Sequence, residues 1–142
     1  MLGTEQNDVT VWDMRMPESY LNEMSHHESQ VTCAEWHPCK AQICISGSDD
    51  GKIYIWDNSK NGEEQARKDY DDGPPEMIFP HMMHNSQIED ISFCPMVEGR
   101  PLDFFPNVAS VETQLFLQVW KPKEDFFEEE VDMIDYLHEI KN

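Results

Sequence analysis

His27, Ser46 and Asp50 supply the three side-chain types of a nucleophilic triad: a serine to attack, a histidine to take its proton and an aspartate to orient the imidazole. An attacking serine stands on a strained, exposed turn of the GxSxG kind, whereas Ser46 lies inside ICISGS, which reads as strand, so the expectation is a chain that is not an enzyme. Metal chemistry is no better served. Cys33, His37 and Cys39 lack the spacing of a zinc site, as do His81 and His84 in HMMH, and no metal or other cofactor is assigned. The cysteines Cys33, Cys39, Cys44 and Cys94 make no CxxC pair and are expected to be reduced structural thiols. One cluster does suit binding. Asp69, Asp71, Asp72 and Glu76 crowd around Gly73, Pro74 and Pro75, and the prolines stiffen the backbone so that the acids stand in fixed positions, as a basic helix would require.

Charge points the same way. With 10 Lys plus Arg against 29 Asp plus Glu, the 142-residue chain carries a formal charge of -19, which argues against nucleic acid and anionic membrane and favours basic partners. No run approaches the roughly eighteen apolar residues of a membrane span, and the N-terminus lacks a charged region followed by an apolar core. The expectation is a soluble intracellular protein.

The elements that would position these residues repeat. Tryptophan recurs at Trp12, Trp56 and Trp120, closing the alternating segments VTVWD, IYIWD and FLQVW, each with β-branched or aromatic residues at every second position. Trp12 and Trp56 are 44 residues apart, the period of a WD repeat, and Trp56 and Trp120 are 64 apart, so the second interval holds about twenty extra residues.

SGSDDGKIYIWD resembles the end of a WD repeat, with the strand VTCAEW, the turn His37-Pro38 and ICISGS upstream of it. The resemblance implies that His27, Ser46, Asp50 and Trp56 form a buried hydrogen-bonded tetrad; buried polar groups must be paired, so the four types belong together. The other repeats are worn. In the first, Gln6 stands where an acid is expected and the chain begins inside a blade. In the last, His84, Ser110 and Trp120 are present, Gln114 replaces the acid, and VEGRPLDFFPN lengthens the connection between its first two strands, so that blade is expected to be the looser one.

The insert between the second and third repeats narrows the resemblance. SK-GEEQ at Ser59, Lys60 and Gly62 to Gln65, DGPPE at Asp72 to Glu76, and His81 and His84 after the apolar MIF are similar to the histone-binding WD-repeat proteins. These are the retinoblastoma-binding small subunits shared by chromatin assembly, histone acetyltransferase, deacetylase, remodelling and Polycomb complexes. The resemblance implies a nuclear chromatin scaffold in which Asp71, Asp72, Gly73, Pro74, Pro75 and Glu76 hold the first helix of histone H4, the acids as contacts and the prolines as frame; bidentate arginine–carboxylate pairs are the orienting kind. Histone H3 would be a companion partner, but Gln30 and Thr32 stand where its binding face needs an acid and an aromatic residue, so that site is not carried over. The family's groove has a second wall, an N-terminal helix, which this sequence does not contain.

The expected fold is all-β: a partial WD-repeat β-propeller of about two and a half antiparallel blades with a C-terminal α-helix. Residues 1–24 would be a blade remnant, 25–57 a complete repeat, 58–80 the acidic insert and outer strand, 81–122 a degenerate last repeat, and 123–142 an acidic amphipathic helix carrying Phe127, Val131, Ile134 and Leu137. The expected function is a histone-binding or chromatin-complex scaffold. The alternative is a truncated paralogue with a structural role and no binding of its own.

Overall fold

The computed structural model describes residues 2–65, 72–95 and 105–122, which form ten strands in three antiparallel sheets. The first sheet has the order β1 (Leu2–Glu5), β2 (Asp8–Val11), β3 (Asn22–Ser25). The middle sheet is β4 (Val31–Trp36), β5 (Ile43–Ser48), β6 (Ile53–Asp57), β7 (Met77–His81). The last sheet pairs β8 (Ile88–Phe93) with β9 (Val108–Glu112) and β9 with β10 (Leu117–Trp120). This is the all-β propeller architecture expected from the repeats; the expected helix at 123–142 lies outside the described residues.

Strand alternation explains how one sheet can serve two cores. In β5 and β6, Ile43, Ile45, Ile53 and Ile55 point to one face and pack with Ile88, Ile91, Phe93, Phe105 and Val108 of the last sheet. The intervening Cys44, Tyr54 and Trp56 point to the other face and pack with Val9, Val11 and Met24 of the first sheet. Both faces being covered, β5 is buried along its whole length, and its sequence is correspondingly apolar or small throughout. Polar ties supplement the packing. Thr32 Oγ1 lies 2.6 Å from the carbonyl oxygen of Ile88, and the Phe93 N–H donates to Glu35 Oε2 at 3.2 Å, each joining the middle sheet to the last.

The β5–β6 turn shows why the chain reads Asp-Asp-Gly at that point. Gly51 N–H donates to Ser48 O at 3.1 Å, Ser48 N–H donates to Lys52 O at 3.3 Å, and Gly51 holds φ at 74°, a region that costs little only for glycine. A Cβ on Gly51 would also meet the Ser86 carbonyl oxygen at 3.2 Å.

Candidate functional site

His27 sits in the loop between β3 and β4, Ser46 inside β5, Asp50 in the β5–β6 turn and Trp56 inside β6, and the fold brings all four together. Trp56 Nε1 donates to Ser46 Oγ at 2.8 Å, Ser46 Oγ lies 2.8 Å from His27 Nε2, and His27 Nδ1 lies 3.1 Å from Asp50 Oδ2. A carboxylate can only accept and an indole can only donate, so the bonds run in one direction: tryptophan to serine, serine to histidine Nε2, histidine Nδ1–H to aspartate. Asp50 also accepts the backbone N–H groups of Glu28 and Lys52. Burial pushes its pKa up, and the bond from His27 with those two amides outweighs this, leaving the carboxyl below its ordinary value. Ser46 is 0% exposed, with its hydroxyl engaged on both sides. The constellation therefore ties the β3–β4 loop to the sheet and leaves no nucleophile open to a substrate.

The last sheet carries a second network of the same kind. Trp120 Nε1 donates to Ser110 Oγ at 3.1 Å, Ser110 Oγ lies 2.7 Å from His84 Nε2, and His84 Nδ1 lies 3.2 Å from Glu112 Oε2. Glu112 takes the backbone N–H groups of Asn85 and Ser86 as well. The Asn85 amide is foremost in holding its carboxyl below the ordinary range, against the opposing effect of burial.

This corrects the expectation that the last repeat lacks its acid. The two turns make the same pair of backbone bonds: Leu115 N–H donates to Glu112 O and Glu112 N–H to Phe116 O, as Gly51 N–H donates to Ser48 O and Ser48 N–H to Lys52 O in the middle sheet. Gln114 is indeed the counterpart of Asp50, and it is exposed. The acid comes from two residues earlier, at the counterpart of Ser48, and the longer glutamate side chain spans the difference.

The Asp-Gly-Pro-Pro-Glu turn is anchored from several sides. Pro74 O accepts the Met77 N–H at 2.9 Å, Gly73 O accepts from Gln65 Nε2 at 3.0 Å, and Glu76 O accepts the Asp57 N–H at 2.7 Å, next to the Trp56–Met77 pair of β6 and β7. Gly73 is buried with φ at 109°, and a Cβ there would come within 2.4 Å of Met77 Cε and 3.4 Å of the His26 imidazole. Asp72 is exposed, Pro74 and Pro75 are half-buried, and Asp71 lies outside the described residues. Glu76 departs from the expectation of a surface contact: it is only 7% exposed, and its carbonyl oxygen accepts the Asp57 N–H at the end of β6.

His37, His81 and His84 are engaged by protein groups. His81 stacks on Trp120 at 4.0 Å and its Nε2 lies 3.1 Å from Gln118 Oε1, while His84 belongs to the second network. His37 Nδ1 accepts the backbone N–H groups of Cys39 and Lys40, each at 3.0 Å, which places the proton on Nε2, buried near Phe93 and Phe105. Burial is the main reason that its pKa falls to about 4. Among the described residues no group of three or more His, Cys, Asp or Glu side chains could hold a metal ion, and Cys33, Cys39, Cys44 and Cys94 are all free thiols.

Residues 18–57 match the WD domain, G-beta repeat family. The chain is 33% identical over 126 residues to histone acetyltransferase type B subunit 2 of Debaryomyces hansenii, covering 84% of this chain and 29% of that protein. The protein of the same name from Candida glabrata is 34% identical over 119 residues, 84% of this chain and 26% of its own length. That of Schizosaccharomyces pombe is 37% identical over 112 residues, 79% of this chain and 24% of its own. The chain thus spans less than a third of the length of these relatives.

Proposed function

As a WD-repeat chain homologous over most of its length to the histone acetyltransferase type B subunit 2 proteins, this protein, we propose, is a non-catalytic scaffold that binds histone H4 in a nuclear chromatin complex. The relatives are named as subunits of a histone-modifying enzyme, which favours a partner-holding role over a reaction of the chain's own. The observation that carries the reading is the turn at Gly73: an exposed Asp72 precedes a glycine whose φ of 109° would strain any other residue, followed by two prolines. A carboxylate on such a frame loses little freedom when it meets an arginine, so its pairing energy is not spent on ordering the loop.

In this reading Asp71 and Asp72 make the charged contacts with a basic helix, Gly73, Pro74 and Pro75 hold them in place, and Glu76 serves the frame from within. Calorimetric titration of the full chain with a histone H4 first-helix peptide, at low and high salt, tests it. Asp71→Asn with Asp72→Asn preserves volume and removes charge. The double variant is expected to weaken binding and flatten its salt dependence; exposed pairs contribute about 0–1 kcal/mol each, so a loss above roughly 2 kcal/mol would mean a desolvated grip. Equal binding by the variant would clear the turn of any role, and no binding by the unmutated chain would leave a purely structural part in a larger propeller.

A further inference from the structure

Residues 12–21 join β2 to β3 in a loop fixed from within. Leu21 N–H donates to Val11 O at 2.6 Å, Met16 N–H donates to Asp13 O at 3.0 Å, and Trp12 Nε1 donates to Thr10 Oγ1 at 2.9 Å. Trp12 meets Tyr20 edge-on at 6.0 Å. The only cation in the loop, Arg15, is neutralised by Asp13, whose carboxylate it grips at 2.6 Å. Yet this ordered loop turns three large aliphatic side chains to water: Met14, Met16 and Leu21 are 78%, 65% and 59% exposed. Single exposed apolar residues need no explanation, but three within eight positions on one braced loop make a patch, and methionine is the side chain that moulds itself most readily to a partner's surface.

Beside the patch lies a cleft of about 280 Å3 lined by Gln6, Asp8, Tyr20 and Glu23. Thr10 and Glu23 face each other across β2 and β3, as do Asp8 and Ser25, so both carboxylates belong to the side of the sheet opposite Val9 and Met24, which enter the core. Neither carboxylate has a cationic partner among the described residues. The cleft combines an aromatic wall with two acids, the surroundings in which a lysine or arginine lays its apolar stem against a ring and delivers its charge to carboxylates.

We propose that the β2–β3 loop and this cleft form a docking surface for an amphipathic basic segment of another protein, whose apolar side chains cover Met14, Met16 and Leu21 while one lysine or arginine enters between Asp8 and Glu23. Tyr20 is common to the loop and the cleft, which makes the two halves one site. The surface is built on the first sheet and is independent of the 72–77 turn, which belongs to the middle sheet.

The test uses the full chain with methionine methyl groups labelled for NMR. The probe is a synthetic helix of leucines and lysines with leucines at i, i+3, i+4 and i+7, beside a scrambled peptide of the same composition. The Met14 and Met16 methyl signals are expected to shift while those of Met82 and Met83, exposed elsewhere, do not. Affinity is expected to fall about tenfold or more for Met14→Ser with Met16→Ser, and likewise for Asp8→Asn with Glu23→Gln. It should be unchanged for Met82→Ser with Met83→Ser. Absence of binding, equal binding of the scrambled peptide, shifts at Met82 and Met83 instead, or unchanged affinity in either of the first two double variants would overturn the proposal.

Discussion

The middle and last sheets carry the same hydrogen-bonded network in two different settings. In the middle sheet Trp56 is 0% exposed, and the whole of β5 is covered on both faces. In the last sheet Trp120 is only half-buried, stacked on His81 and Phe79, and the outer strand β10 turns Leu117 and Val119 to water. The histidine, serine and tryptophan are placed alike, with serine and tryptophan ten residues apart in both. The difference teaches that the network is a local device, set by strand register and turn geometry, whereas burial depends on what stands on either side of the sheet.

The sharpest separation should come from the tryptophans. Trp56→Ala empties a fully enclosed site and is expected to cost about 3–5 kcal/mol in denaturant melts, while Trp120→Ala, half-buried at the outset, should cost less than half as much. Equal losses would mean that the last sheet is as well covered in solution as the middle one. The histidines should behave more alike. His27→Ala and His84→Ala each strand a buried serine and a carboxylate, and each is expected to cost about 1–3 kcal/mol, read in the same melts. A neutral His84→Ala would mean that the network around Glu112 does not hold.

Acid should expose the carboxylates and a third group separately. Asp50 and Glu112 have folded pKa values below their ordinary 3.8 and 4.5, so their contribution is complete above those ordinary values and is lost as pH falls through the lower folded ones. His37, a base lowered from 6.5 to about 4, acts earlier: the unfolded chain takes up its proton first, so stability begins to fall below about pH 6.5 and this contribution levels off near 4. Thermal melts across pH 7 to 3 are expected to show both stages. His37→Asn should diminish the upper stage, leaving the share of His81, another base lowered by burial, because an amide oxygen can still accept from Cys39 or Lys40 without titrating, and Glu112→Gln should blunt the lower one.

The smallest effect concerns the two turns. Leu115 holds φ at 62° at the place where the middle sheet has Gly51 at 74°. A side chain there strains the backbone by roughly 1–2 kcal/mol, and glycine returns part of that as unfolded-state entropy, so Leu115→Gly should stabilise by about 1 kcal/mol. A loss on this substitution would show that the exposed leucine makes a contact that glycine cannot replace.

Much of the architecture was legible because strand periodicity and tryptophan spacing are local signals. VTVWD, IYIWD and FLQVW mark strands wherever their neighbours are, and ICISGS reads as strand, as β5 is. The acid of the last network was not legible, because alignment by position leads to Gln114, while the structure uses a side chain one methylene longer from two residues away. Glu76 was misread for a related reason. A glutamate beside prolines in an acidic insert looks solvated, and only the Asp57 N–H bond to its carbonyl, made next to the Trp56–Met77 pair, reveals that the chain folds back there.

By itself, then, the sequence determined which residues lie in strands, which face of each strand is apolar, where Gly51 and Gly73 must turn the chain, and that the protein is acidic enough to favour basic partners. Each of these follows from steric and hydrophobic preferences that act within a few residues. The tertiary structure alone decided which acid closes the second network, that Glu76 turns inward, that Thr32 and Glu35 tie two sheets together, and that Tyr20 brings an apolar loop and an acidic cleft into one surface. Those outcomes rest on distances between residues far apart in the chain, which become definite only when the sheets stack and a reach of one or two ångströms decides whether a polar group finds its partner.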